Sequence, residues 1–298
     1  LKRLPAFLLA VILCLSLLPV TAGAEDWVVG NTEQWRIDDT LTLYIDNDTG
    51  MTDWISENGA FGGWVAAVEL SEGITEIPYH AFYKCSNLTT VEIPATVTKM
   101  GKNDVFEGCR SLEEITVEAG NEHFTAEDGI LYNAKKTDVL ICPPGKSGDI
   151  TLPETVTTIA GSAFNGCAKI TDVTLHEGIT AIENVVFEGC DSLTEVTLPA
   201  SLTHLGNGAF NNCAGLTSLN VTAGNADFSS QDGVLYDKDK TELLLYPMAK
   251  PDKSLEIPNT VTSIAGNAFK GTLYLENVTA GDLTSIESSA FMNCEALT

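Results

Sequence analysis

The stretch GAFNNCAGLTSLNV occupies residues 208–221, and variants of it occur throughout the chain. Close copies are HAFYKCSNLTTVEI from residue 80, DVFEGCRSLEEITV from 104, SAFNGCAKITDVTL from 162 and VVFEGCDSLTEVTL from 185. This recurrence at about 23 residues predicts a solenoid, in which each unit buries its apolar side chains by stacking on its neighbours. The motif phenylalanines are Phe82, Phe106, Phe164, Phe187, Phe210, Phe269 and Phe291.

Two gaps between successive motif phenylalanines are longer than the rest, at 58 and 59 residues. They contain GNEHFTAEDGILYNAKKTDVLICPP and GNADFSSQDGVLYDKDKTELLLYPM, which align with an offset of 104 residues. The dipeptides Asp128-Gly129 and Asp232-Gly233 favour tight turns between strands. We therefore expect each long gap to hold two rungs, the second carrying a β-hairpin that projects from the side of the stack.

Within a unit, the pattern L-x-x-V-x-[IL]-P alternates apolar and polar residues and predicts a short strand that ends at proline. The following V-T-x-I predicts a second short strand, and A-F-x-x-C a single helical turn. The expected fold is a mainly β repeat solenoid of about nine rungs, two of them with inserted hairpins. Its inward column is predicted to be Val68, Val91, Ile115, Ile150, Val173, Val196, Leu219, Leu255 and Val278.

The units ITEIPYHAFYKCSNLTTVEIP and LTHLGNGAFNNCAGLTSLNV, with the variant DGVLYDKDKTELLLYP, resemble the BspA-type class of bacterial leucine-rich repeats. The stretch from WRIDDTLTLYIDNDTGMTDW to GGWVAAVELSEGITEI is similar to the β-rich cap that often opens such arrays. The resemblance covers roughly residues 35–298. It implies a secreted or surface-attached solenoid, commonly an adhesin-like protein that binds host matrix proteins or other cells, and it implies no substrate.

The first 24 residues have the pattern of an export signal. Lys2 and Arg3 precede an apolar run from Leu4 to Val20, and Ala22-Gly23-Ala24 supplies the small residues of a cleavage site. An uncleaved membrane anchor is the alternative, although the apolar run is short for a span. The predicted organisation is a signal peptide at 1–24, a β-rich N-terminal cap at 25–66 and the repeat array at 67–298.

The chain is strongly acidic, with 41 Asp and Glu against 16 Lys and Arg and a net charge of −25. This balance repels phosphate backbones and anionic lipid surfaces, so nucleic acid and membrane surfaces are excluded as expected partners. Secreted or cell-surface localisation follows from the export signal. No recurring Ser, His and Asp constellation and no phosphate-binding loop occurs, so we expect neither an enzyme nor a cofactor.

Six cysteines share one position of the repeat, and Thr272 takes that position in one unit. Parallel side chains in a ladder fit disulfide geometry badly, and no C-x-x-C pair suggests zinc. We therefore predict buried free thiols that act as small apolar residues. The six are Cys85, Cys109, Cys167, Cys190, Cys213 and Cys294.

The segment DNDTG, Asp46 to Gly50, resembles the start of a calcium loop with Glu57 at its twelfth position. Met51 stands where such a loop requires glycine. The segment is therefore predicted to form a β-turn of the cap.

The outward face of the first strand is predicted to carry an acidic strip. Four consecutive rungs would place carboxylates about 4.8 Å apart beside four threonines, at an electrostatic cost that a basic segment or a divalent cation would offset. The carboxylates are also the only, and weak, metal-ligand candidates; the alternative is a solvated face that prevents aggregation. The residues are Glu114, Asp149, Asp172 and Glu195, with Thr116, Thr151, Thr174 and Thr197.

A long repeated surface favours recognition or spacing over catalysis. The first hypothesis is a secreted or surface-associated binding protein whose ligand is a protein or a cell surface, with basic character. The second is a spacer or targeting array attached to an enzyme or anchor beyond Thr298, since the chain ends partway through a unit.

Overall fold

The computed structural model describes residues 26–101 and 103–298. The predicted signal peptide at 1–24 lies outside these residues. Within them, none of the helices combines the length and the apolar character that crossing a membrane requires.

The N-terminal cap is a small sheet with one helix on it. Strands β1 (Asp26–Val29), β2 (Trp35–Asp38) and β3 (Thr42–Ile45) pair antiparallel. The α-helix α1 (Asp48–Phe61) and a 3-10 helix (Gly62–Trp64) follow. Strand β3 then pairs in parallel with β4 (Ala67–Leu70), the first strand of the repeats, which is the last strand of the cap sheet.

The prediction of a β-turn at DNDTG is wrong, because α1 begins at Asp48. Asn47 caps the helix by accepting a hydrogen bond from the Gly50 backbone N–H at 3.0 Å. The Asp48 carboxylate accepts bonds from the backbone N–H and the hydroxyl of Thr75, at 2.8 and 2.5 Å. The Trp54 indole N–H donates to the Ala81 carbonyl at 2.7 Å, so the helix binds the cap to the first repeat.

The first strand of each unit forms one column of the solenoid, as predicted. Its strands form separate parallel pairs, in which Val91 lies opposite Ile115 and Ile150 opposite Val173. After β4 the column contains β6 (Thr90–Ile93), β8 (Glu114–Val117), β12 (Ser147–Thr151), β14 (Lys169–Thr174), β16 (Glu195–Leu198), β18 (Ser218–Val221), β22 (Ser254–Glu256) and β24 (Asn277–Thr279).

The second strand of each unit forms the other column, and the apolar core lies between the two. These strands are only two residues long and also pair in parallel, with Ile159 opposite Ile182 and Ile182 opposite Leu205. They are β5 (Glu76–Ile77), β7 (Lys99–Met100), β13 (Thr158–Ile159), β15 (Ala181–Ile182), β17 (His204–Leu205), β23 (Ser263–Ile264) and β25 (Ser285–Ile286).

The two long gaps each contain a three-stranded antiparallel meander. The first comprises β9 (Phe124–Glu127), β10 (Ile130–Asn133) and β11 (Asp138–Ile141). The second comprises β19 (Phe228–Gln231), β20 (Val234–Asp237) and β21 (Glu242–Leu245).

The prediction that these hairpins project from the side of the stack is wrong. Strand β11 pairs in parallel with β13, and β21 with β23, so both meanders belong to the second-strand column. The central strand is covered on both faces, since Ile130, Leu131 and Tyr132 are all buried. Three successive apolar residues are typical of a strand that is covered on both faces.

The A-F-x-x-C segment is a run of hydrogen-bonded turns, with a regular 3-10 helix at Asn103–Phe106. Some of its N–H groups bond to the next rung instead of to the turn itself. The Phe164 N–H donates to the Val186 carbonyl at 3.0 Å, and the Gly166 N–H to the Glu188 carbonyl at 2.8 Å. The turns are therefore stacked by backbone hydrogen bonds, as the strands are.

Aromatic rings stack along the motif phenylalanines. Centroid separations are 5.4 Å for Phe82 and Phe106, 5.2 Å for Phe187 and Phe210, and 4.7 Å for Phe269 and Phe291. In the second meander Tyr246 takes the place of phenylalanine and lies 5.5 Å from Phe269. The first meander has Cys142 at the equivalent sequence position, which interrupts the aromatic ladder there.

One asparagine joins each meander to the rung before it. The Asn225 side-chain amide donates to the carbonyls of Pro199 and Leu202, both at 2.9 Å. Its oxygen accepts from the backbone N–H groups of Asp227 and Phe228, at 2.9 and 2.7 Å. Asn121 makes the same four bonds in the first meander.

We predict that Asn225→Ala lowers the free energy of unfolding by about 2 to 6 kcal/mol. The side chain is 1 % exposed, and its loss leaves the carbonyls of the buried Pro199 and Leu202 without this partner, at about 1 to 3 kcal/mol for each carbonyl. Urea unfolding followed by circular dichroism measures the change. The control is Asn259→Ala at an exposed position; equal unfolding midpoints for the two variants would contradict the prediction.

Candidate functional site

The predicted acidic strip lies on the outward face of the first-strand column. Glu114, Asp149, Asp172 and Glu195 are all exposed. Asp149 and Asp172 lie directly opposite each other on β12 and β14, so two of the four carboxylates are in register. The accompanying Thr151, Thr174 and Thr197 are exposed, and Thr116 is half-buried.

The four carboxylates do not occupy four consecutive rungs, which corrects the sequence prediction. The tip of the first meander, Asp128-Gly129, lies beside β8, and the Gly129 carbonyl accepts a hydrogen bond from the Ile115 N–H at 3.0 Å. Glu114 is opposite Thr90 on its other side. Glu195 is opposite Ser218, and β14 and β16 belong to separate two-stranded sheets. The strip is therefore a central pair with one flanking acid at each end.

Hydroxyl groups border the central pair. The Thr171 hydroxyl donates to the Asp149 carboxylate at 2.6 Å, and the Thr174 hydroxyl to that of Asp172 at 3.2 Å. Thr171 was not among the sequence candidates, because its contact depends on which rung follows which. Among the described residues, none of the ion pairs engages the four strip carboxylates. The described residues also contain no group of three His, Cys, Asp or Glu arranged to hold a metal ion.

Two clefts open where each meander meets the second-strand column, and the sequence prediction missed both. The first has a volume of about 600 Å³ and the second about 300 Å³. Their apolar linings correspond through the internal repeat: Met100, Phe124 and Leu140 in the first cleft, and Leu205, Phe228 and Leu244 in the second. The 104-residue offset was the sequence signal that could have indicated paired sites.

Each cleft also has a carboxylate from the neighbouring rung. Glu183 lines the first cleft, and its counterpart Glu287 lines the second. The Glu183 carboxylate oxygen Oε2 lies 3.6 Å from the His204 ring nitrogen Nε2. The Glu287 carboxylate accepts a hydrogen bond from the Gly266 N–H at 3.0 Å. Outside the lining of the second cleft, on β21, burial and then the nearby carboxylates of Glu287 and Asp237 raise the pKa of Glu242.

The cysteines at the shared repeat position are free, as predicted, and all but the half-buried Cys294 are buried. Most of them donate their S–H to the phenylalanine carbonyl of the preceding rung. The S···O distances are 2.9 Å from Cys109 to Phe82 and 3.0 Å from Cys213 to Phe187. Burial raises the pKa of the Cys213 thiol to about 12. The thiols are therefore hydrogen-bond donors as well as apolar side chains.

Comparisons with known proteins agree with this geometry. A family model described as a BspA type leucine rich repeat region matches in six copies, over residues 56–143, 146–232 and 250–298. A leucine rich cell surface protein from Faecalibacterium prausnitzii is 25 % identical, with 93 % of this chain and 74 % of that chain covered and a TM-score of 0.57. No curated protein matches the chain in sequence.

Two further solved structures are similar in fold. The pneumococcal vaccine antigen PcpA is 24 % identical, with 76 % of this chain and 55 % of that chain covered and a TM-score of 0.52. The chain thus spans about half the length of PcpA. A leucine-rich repeat protein from Eubacterium ventriosum is 20 % identical, with 92 % of this chain and 90 % of that chain covered and a TM-score of 0.51.

We predict that the folded protein at pH 8 reacts with a thiol reagent such as DTNB mainly at Cys294. The other cysteines of the described residues are buried, so the reagent reaches them only on unfolding. The measurement is the thiol titration before and after addition of guanidinium chloride, with Cys294→Ala as the control. Rapid reaction of several thiols in the folded state would contradict the prediction.

Proposed function

Because the chain belongs to the family of BspA-type leucine-rich repeat proteins, we propose that it is a secreted or cell-surface recognition protein that binds a protein or cell-surface ligand without catalysis. The similar protein from F. prausnitzii is a cell surface protein, which supports this. Leucine-rich repeat arrays present long rigid surfaces, and such surfaces suit protein recognition.

The observation that carries the proposal is the exposed, in-register pair of Asp149 and Asp172. Like charges directly opposite each other destabilise a strand pair by a few tenths of a kcal/mol. A Lys or Arg of a partner would offset this repulsion, and the threonine hydroxyls beside it would hydrogen-bond to the partner's backbone. The surface is part of a hydrogen-bonded ladder, so binding would require little ordering of the protein.

A spacer or targeting array within a larger protein is the second candidate. It is favoured by the observation that the chain spans 55 % of the PcpA chain. In that case the ligand-binding or anchoring activity would belong to another part of the larger protein.

We predict that the variant E114Q/D149N/D172N/E195Q binds its ligand at least tenfold more weakly than the unchanged protein. A tenfold loss corresponds to about 1.4 kcal/mol, a modest effect for four removed charges. Binding is measured at physiological salt against immobilised matrix proteins, mucins and whole cells, with and without calcium. The unchanged protein is expected to bind one of these classes saturably.

The matched control is E154Q/D191N/D239N/D282N, which removes the same number of exposed charges away from the strip. Equal binding by the two quadruple variants would contradict a role for the strip. Absence of saturable binding by the folded, unchanged protein to every class would contradict the recognition proposal and favour the spacer.

A further inference from the structure

The two clefts are built from equivalent parts of the fold. In the first, β9 and β11 of the meander face β13 and the residues after β13 and β15. In the second, β19 and β21 face the residues after β23 and β25. The turn before the motif phenylalanine closes each cleft, at Gly101 in the first and Gly206 in the second. The repeated block therefore reproduces the whole cleft and not only the strands.

The floor of each cleft is apolar and only half covered. Phe124 and Leu140 remain partly exposed in the first cleft, and Phe228 and Leu244 in the second. Elsewhere in the array the motif phenylalanines are packed on one another. Each cleft thus offers apolar surface that an incoming side chain would bury at about 25 cal/mol per Å².

The rim of each cleft is acidic. Asp104, Asp138 and Glu183 lie in the lining of the first cleft, and Glu287 is the one described carboxylate in that of the second. Glu242, the sequence counterpart of Asp138, lies outside the second lining. The described lining residues of the two clefts include neither Lys nor Arg. In a chain with a net charge of −25, the complementary occupant is a cationic segment that also carries an apolar side chain.

The separation of the clefts follows from the rung count. Five steps along the first-strand column lead from β8 to β18: to the meander tip, β12, β14, β16 and β18. At about 4.8 Å per step, equivalent points of the two clefts are about 24 Å apart. The clefts themselves adjoin, since Gly206 of the second lies against Glu183 of the first. An extended polypeptide covers that distance with about seven residues, at 3.3 to 3.6 Å per residue.

We propose that the two clefts together bind one partner polypeptide that carries two short segments, each with an apolar side chain beside a Lys or Arg, at least seven residues apart. The apolar side chain enters the cleft and the cation pairs with the carboxylate of Glu183 or Glu287. The proposal deepens the recognition function proposed above and rests on it, but it assigns the contact to the opposite column from the acidic strip.

Bivalency is the consequence that distinguishes this arrangement from two independent sites. Once one segment is bound, the second binds at an effective concentration set by the connecting residues, so the pair binds more tightly than either alone by a factor of 10² or more. The first cleft has Asp104 where the second has Gly208. The first cleft is therefore expected to bind the cationic segment more tightly.

The test uses a phage library of random 20-residue peptides, displayed at one copy per particle and selected on the full protein at physiological salt. Selected peptides are expected to carry two segments of the proposed kind. As synthetic peptides they should bind E183K and E287K at least 100-fold more weakly than the unchanged protein, and show no measurable binding to E183K/E287K. A peptide whose two segments are separated by only three residues should bind the unchanged protein as weakly as the original peptide binds the single variants.

The control E154K/D282K changes the charge equally at exposed positions outside both clefts, and it should bind within twofold of the unchanged protein. Selection of no such peptides, or full affinity for either single cleft variant, would overturn the bivalent site. Loss of binding only on E114Q/D149N/D172N/E195Q would overturn it while supporting the strip. The panel assay above tests recognition separately, so the two proposals can fail independently.

Discussion

The fold depends on hydrogen bonds that cross from one rung to the next. A single rung contains too few apolar residues to form a core, and its turn leaves N–H groups that no partner within the turn accepts. The adjacent rung accepts them, as the Val186 carbonyl does for the Phe164 N–H. The thiol of Cys190 likewise donates to the Phe164 carbonyl at 3.2 Å. The repeated sequence therefore preserves donors and acceptors at fixed phases as well as apolar side chains.

The meanders preserve this cross-rung bonding with a different sequence. The Asn225 side chain bonds to two backbone carbonyls and two backbone N–H groups, so it supplies bonds that the turn backbone supplies in the ordinary rungs. Tyr246 continues the stack of aromatic rings. Inserting a meander has two consequences for the surface. It interrupts the column of carboxylates next to Glu114, and it leaves Phe124 and Leu140 half-covered in a cleft.

Much of the fold could be predicted because the repeat constrains every rung at once. The inward column is an example: Val91 and Ile115, twenty-four residues apart, are opposite each other as expected. Helix α1 could not be predicted in this way, because it occurs once and its sequence contains Asp, Thr and Gly that also suit turns. Its helical signal was the i, i+3 spacing of Met51 and Trp54, both buried.

The candidate site was predicted less well than the fold. Individual strip residues could be placed on the outward face from alternation alone, and all four carboxylates are exposed. Their adjacency depended on where the meander enters the stack, which alternation does not encode. The clefts depended on the same information. The buried triplet Ile130, Leu131 and Tyr132 was the available signal that the meander lies inside the stack.

The near-identical bonding of Asn121 and Asn225 has a consequence for how such an array grows. Adding one ordinary rung lengthens the protein and creates no new cleft. Copying the 104-residue block adds a meander, its asparagine clamp and a complete cleft together. Valency in arrays of this kind would thus rise by whole units through duplication of the block, while changes in the number of ordinary rungs would only alter the distance between binding positions.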